Sequence, residues 1–117
     1  MFLVYWVVDG KPLLWVGSSR EDLRELEPDV RMELGTDLRR VQSGLQPRDW
    51  KPMASVGAGV MEVRVRVAGA YRLLYFAKFA EGIYVLHVFQ KKSQKTSGLD
   101  LEIARTRLAA VRRTRKE

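Results

Sequence analysis

The chain has 117 residues, no cysteine, a single histidine, and 21 Lys+Arg against 14 Asp+Glu, giving a net charge of +7 and a pI near 10.1. That length suits one domain that can fold without covalent staples, so 1–117 is read as a single unit. The composition excludes disulfides, thiolate metal sites, thiol nucleophiles and any two-histidine zinc motif.

The longest apolar run is Met1–Val8. It is too short to span a bilayer, and no basic flank or small-residue cleavage site surrounds it. The expectation is a soluble cytoplasmic protein with no membrane contact. Phe2–Val8 and Pro12–Val16 flank Asp9-Gly10-Lys11, a turn signal that predicts an N-terminal β-hairpin over 1–16. Alternatively, the first strand is an extension outside the core.

Ser18 or Ser19 can cap a short helix to about Leu26, with Glu21 and Asp22 in its first turn. Pro28 suits the first turn of a second helix. Val30, Leu34, Leu38 and Val41 follow at helical spacing, and Gly44 stops it. The pair covers 19–43, with its stripes in the core. Residues 45–60 read as a loop rich in Pro and Gly, anchored by burial of Trp50 and Met53. Gly57 and Gly59 do not make a phosphate loop, because no GxxxxGK[ST] pattern occurs.

Three strands over 61–90 form an antiparallel meander. In the first, Met61, Val63, Val65 and Val67 alternate with Glu62, Arg64 and Arg66. Tyr71–Phe79 and Ile83–Gln90 follow. Ser97 and Asp100 open a final helix over 98–114, with Leu101, Ala104, Leu108 and Val111 as its apolar stripe. The reading is an α+β fold: two helices on an antiparallel sheet, then a C-terminal helix.

Residues 1–60 are nearly balanced in charge, whereas 61–96 carry seven basic side chains against two acidic. Such asymmetry suits a polyanion surface, with nucleic acid first and an acidic protein second. A three-residue loop pairing Val67 with Tyr71 would set Arg66 opposite Arg72, on the face that carries Arg64. Like charges directly opposite are destabilising, which points to an anion there. A two- or four-residue loop would put Arg72 on the other face. The alternative is an ordinary exposed sheet face with Lys and Arg at its edge. One of Lys91 and Lys92 must share this face, and Lys95 extends it. His87, alone in an apolar strand, is either a packed core residue or an acid–base near neutral pH. Tyr71 and Tyr75 share a face, as core or as platforms for bases.

The stretches Trp15-Val-Gly-Ser-Ser, Asp49-Trp-Lys-Pro-Met, Met61-Glu-Val-Arg-Val-Arg, Gly69-Ala-Tyr-Arg-Leu-Leu-Tyr and Val85-Leu-His-Val-Phe-Gln-Lys-Lys-Ser-Gln-Lys-Thr resemble the phage-derived toxin-like branch of the RelE/HigB family. The resemblance runs from about Leu14 to Arg113. It implies the toxin of a type II toxin–antitoxin system, a ribosome-dependent mRNA endonuclease that inhibits translation. The implied reaction is attack of a ribose 2′-OH on the adjacent phosphate, without metal or cofactor. It implies Arg72 as the phosphate-binding arginine, Arg64 at a strand lysine position and Lys92 near a further basic position, with His87 as a candidate acid or base. Arg66, Lys91 and Lys95 would bind RNA. The C-terminal tyrosine that some relatives use as base has no equivalent, because no Tyr follows Tyr84. The implied partners are mRNA on the ribosome and an antitoxin, often of helix-turn-helix type. The competing reading is a non-catalytic RNA-, ribosome- or antitoxin-binding module of the same fold.

Overall fold

The computed structural model describes residues 10–115. In chain order the elements are β1 (Leu13–Trp15), α1 (Ser19–Arg24), α2 (Pro28–Gln42), β2 (Trp50–Pro52), β3 (Val60–Arg66), β4 (Ala70–Phe76), β5 (Ile83–Lys91) and α3 (Gly98–Arg115). The strands make one mixed sheet in the order β1-β5-β4-β3-β2. The neighbours from β2 to β5 are antiparallel, and β1 lies parallel to β5. The fold class is α+β, with α2 and α3 on opposite faces.

Two apolar cores follow from this layering. Under α2, Val30, Leu34, Leu38 and Val41 pack on Val63, Val65, Leu73 and Val85. Under α3, Ala104, Leu108 and Val111 pack on Val60, Leu74, Phe76 and Leu86, with Met53 and Val56 closing one side. Each fully buried aliphatic side chain contributes about 1.5–3 kcal/mol. Truncating Leu34 or Leu73, both sealed from solvent, to Ala should therefore cost about 2–5 kcal/mol. Pro28 opens α2, and Gly44 ends it at φ +87°, where its N–H donates to the Val41 carbonyl.

Several expectations change. The first strand of the predicted hairpin, Phe2–Val8, lies outside the described residues. Its second strand, β1, pairs in parallel with β5, Leu14 opposite Tyr84. Ser18 stands at the N-cap of α1, but its side chain makes no capping hydrogen bond to the backbone. The Ser18 hydroxyl donates to Asp22, and the buried Ser19 hydroxyl donates to the Val85 carbonyl, fastening α1 to β5. Within 45–60 a short edge strand, β2, pairs with β3. Met53 is buried as expected, but Trp50 is 36 % exposed. The loop is held by Arg48, whose backbone N–H and Nε both donate to the buried Asp37, so Trp50 need not anchor it.

The β3–β4 register is also displaced by one residue on each strand. Ala68 adopts φ +52°, the chain reverses over 67–69, and Arg66 pairs with Ala70. Arg64, not Arg66, therefore stands opposite Arg72. Parity is unchanged, so all three arginines share one face.

Candidate functional site

The site is a grid on the α3 side of the sheet. Reading across β3, β4 and β5, one row is Glu62, Leu74 and His87. The next is Arg64, Arg72 and Phe89, and the last is Arg66, Ala70 and Lys91. Arg72 is the centre. Directly opposite neighbours in such a grid have Cβ atoms about 4.5–5.5 Å apart, and diagonal ones are about 7–8 Å apart. Arg72 thus has Arg64 beside it, Arg66 and Lys91 on two diagonals, and Glu62 and His87 on the others. Ala70, the small residue between Arg66 and Lys91, leaves that end of the grid low.

A β-bulge builds one column. Leu74 pairs with His87 but Tyr75 pairs with Val85, so Leu86 is the extra residue. Ile83 and Val85 point into the α2-side core. Plain alternation would have sent His87, Phe89 and Lys91 after them. The bulge turns all three onto the arginine face. This settles the choice between Lys91 and Lys92. Lys91 shares the face, whereas Lys92 lies one residue beyond β5 and is exposed.

Arg72 is deeply placed, with its side chain 9 % exposed. Its Nη1 donates to the Tyr71 carbonyl at 3.0 Å, and its Nε lies 3.6 Å from Glu62 Oε2. The Glu62 carboxylate is sealed as well, and its Oε1 has no partner among the described residues. Nε is sealed and has no hydrogen-bond partner among the described residues. Burial lowers the Arg72 pKa, Glu62 opposes that shift, and Arg64 and Arg66 reinforce it. A guanidinium set beside a buried carboxylate and flanked by Arg64, Arg66 and Lys91 suits a phosphate oxygen.

Lys91 is pushed below the ordinary lysine range, first by desolvation and then by Arg72, with Lys51 and Arg64 adding to the effect. Glu62 works the other way. Arg64 is partly exposed, 3.8 Å from Asp49. Arg66, Lys92 and Lys95 are exposed. Lys51, Arg66, Lys91, Lys92 and Lys95 make no ion pair among the described residues.

His87 shares the face but is 5 % exposed. Its Nε2 lies 2.7 Å from Asp100 Oδ1, its ring stacks on Phe89 with centroids 4.8 Å apart, and its Nδ1 is sealed with no partner among the described residues. The Ser97 hydroxyl donates to the other Asp100 oxygen, and the Asp100 N–H donates back to Ser97. Ser97 caps the Asp100 N–H as expected. The Asp100 carboxylate takes the Ser97 hydroxyl and His87 in place of the Ser97 N–H, so half of the capping box forms, and the contact fastens the start of α3 to β5. Tyr71 and Tyr75 lie in the α2-side core, as one of the two readings had it.

The sequence reading missed three contributors. Glu62 was seen on the arginine face, but alternation does not say that it is the sealed partner of Arg72. Lys51 was left in a loop, although β2 sets it opposite Glu62 on the same face. Asp100 was read only as a cap. Among the described residues no three His, Asp or Glu side chains come together as metal ligands, and no helix is long and apolar enough to cross a membrane.

No curated protein matches the chain. The family model of the phage-derived Gp49-like proteins (DUF891) matches residues 21–109, which span α1 to α3 and include the whole grid. With that match covering most of the sequence, the chain belongs to the phage-derived Gp49-like family, a family of toxins from toxin–antitoxin systems.

Proposed function

We propose that this toxin is a ribosome-dependent mRNA endonuclease of RelE/HigB type, and that it cuts by metal-independent phosphoryl transfer at the Arg72 grid. The observation that carries the reading is the buried, carboxylate-held Arg72 ringed by Arg64, Arg66 and Lys91. The ribose 2′-OH attacks the adjacent phosphorus, the bond to the 5′-oxygen breaks, and a 2′,3′-cyclic phosphate and a 5′-OH result. Arg72 holds the phosphorane, whose charge exceeds that of the ground-state phosphate, so the transition state gains more than the substrate. Arg64 and Arg66 hold the strand in line. Lys91, with its lowered pKa, is the candidate base for the 2′-OH. The leaving oxygen takes its proton from water or from the ribosome. Lys92 and Lys95 bind flanking RNA, and His87, fixed by Asp100, acts by holding Phe89 and the start of α3 around the site. The partner that silences the toxin is an antitoxin of helix-turn-helix type, and the compartment is the cytoplasm.

The test is 5′-end mapping on mRNA with and without translating ribosomes, for wild type and Arg72→Lys. New ends that need ribosomes and fall by about 10²–10³ in the variant support the reading. Cuts without ribosomes would remove the ribosomal step and keep the nuclease. A second reading, a non-catalytic RNA-, ribosome- or antitoxin-binding module, is favoured by the burial of Arg72. Binding to ribosomes with no cuts from folded, antitoxin-free protein would establish it.

A further inference from the structure

A groove of about 460 Å³ adjoins the grid. Lys51 and Ser55 stand on one wall, and Lys91, Lys95 and Thr96 on the other. In the sheet, β3 and β4, which carry Glu62 and Arg72, run between the strands of the two walls. Among the described residues, no acidic side chain lines the groove. Its three lysines have no ion pair among the described residues. Lys91 feels Lys51 as a repelling charge, after the larger effects of Arg72 and of the opposing Glu62 in the adjoining grid. Three lysines lining one groove repel one another, and an anion relieves that repulsion. The Ser55 and Thr96 hydroxyls add neutral hydrogen-bonding groups of the kind that contact phosphate and ribose. Lys91 belongs to both the groove and the grid, which makes the two one continuous cationic track.

We propose that this groove is a second phosphate-binding subsite, in which Lys51 and Lys95 clamp the internucleotide phosphate next to the one held at Arg72. The occupant is single-stranded RNA, and the proposal rests on the reading of Arg72 as the phosphate site. Lys51 is the determining residue, because it reaches the track from the edge strand. One phosphate fills the grid, and a second on the same strand fills the groove and fixes the direction in which the chain runs.

The test uses two 2′-O-methylated RNA ligands that cannot be cut: a dinucleotide with one internucleotide phosphate and a trinucleotide with two. Both are titrated by NMR into wild type, Arg72→Lys, and Lys51→Gln combined with Lys95→Gln. Wild type should bind the trinucleotide roughly tenfold more tightly. The lysine variant should lose that gain, lower the salt slope by roughly 0.7 per lost contact, and hold the dinucleotide within about twofold of wild type. A gain that survives in the lysine variant overturns the proposal, as does an equal loss for both ligands. If Arg72→Lys leaves dinucleotide binding unchanged, the cleavage-site reading fails on its own, while loss of the trinucleotide gain still supports the groove. The lysines are exposed or half-buried, so the variant folds, and its backbone spectrum checks this directly.

Discussion

The arginines of α3 and the cations of the sheet face are the same kind of residue put to different uses. Four of the five α3 arginines are tied into the fold. Arg105 donates to the Ser55 carbonyl, and Arg107 to the Leu86 carbonyl and the Ser18 hydroxyl. Arg112 lies over the Phe76 ring. Arg115 makes a two-pronged pair with Glu81 and covers Phe79 at 3.8 Å. Gly17 fits the same pattern: it sits at φ +58°, and a Cβ there would lie 2.5 Å from Arg107 Nε. On the sheet face, by contrast, Arg66, Lys51 and Lys91 converge with no ion pair among the described residues, and Arg72 is buried among other cations. A cation already bonded to the protein is a fastener. Cations gathered without partners mark where an anion goes. Net charge, which adds the two groups together, cannot tell them apart.

The sharpest way to break this comparison is at Arg72. Removing it strands the sealed Glu62, so Arg72→Ala should cost about 3–5 kcal/mol of stability by denaturant titration. Arg72→Met combined with Glu62→Gln removes both charges and should restore most of that, while ribosome-dependent cleavage stays down by about 10²–10³. A double variant that cuts normally would make the central arginine another fastener.

Lys91→Arg comes next. It keeps the charge but cannot give up its proton near neutral pH. Cleavage should fall about 10²-fold. Wild-type cleavage should rise with pH as Lys91 deprotonates, earlier than an ordinary lysine would, and the variant should lose that rise. A parallel pH profile in the two would remove Lys91 as the base.

Smaller effects are expected on α3. Arg115→Ala should lower the melting temperature by a few degrees and leave cleavage unchanged. A cleavage defect without loss of stability would move this arginine into the functional group. The Glu81 carboxyl that it faces is held down at about 2, by Arg115 first and then Tyr84, from an ordinary 4.5. That contribution to stability is present above about pH 4.5 and is lost as pH falls through about 2. Arg115→Ala should flatten this acid limb. At the other extreme, burial raises Tyr75 to about 12 from 10.0. Stability should therefore fall between pH 10 and 12, where the unfolded chain ionises first. Tyr75→Phe should reduce that fall in alkaline melts, leaving the smaller part due to Tyr84, which its hydrogen bond to Glu81 also raises.

Much of the fold was legible because the period-two pattern of Met61–Val67 and the helical stripe from Val30 to Val41 each point to one buried face. The shared face of Arg64 and Arg66 was legible for the same reason, whereas Arg72 joins it only because the reversal over 67–69 has three residues, as a two- or four-residue loop would have turned it away. The Arg64–Arg72 opposition was not, because it depends on the left-handed Ala68. Lys91 was not separable from Lys92, because nothing local marks Leu86 as a bulge. The parallel pairing of β1 with β5 and the strand β2 escaped because three-residue edge strands are fixed by distant partners. The Glu62–Arg72 and His87–Asp100 pairs join residues whose meeting depends on side-chain paths that no spacing encodes.

The most direct measurement is the single-turnover rate of mRNA cleavage on programmed ribosomes, for wild type and the Arg72→Met/Glu62→Gln variant, with melting temperatures measured alongside. The account predicts near-wild-type melting and a rate lower by about 10²–10³ in the variant. Equal rates, or no cleavage by folded, antitoxin-free wild type, would contradict it.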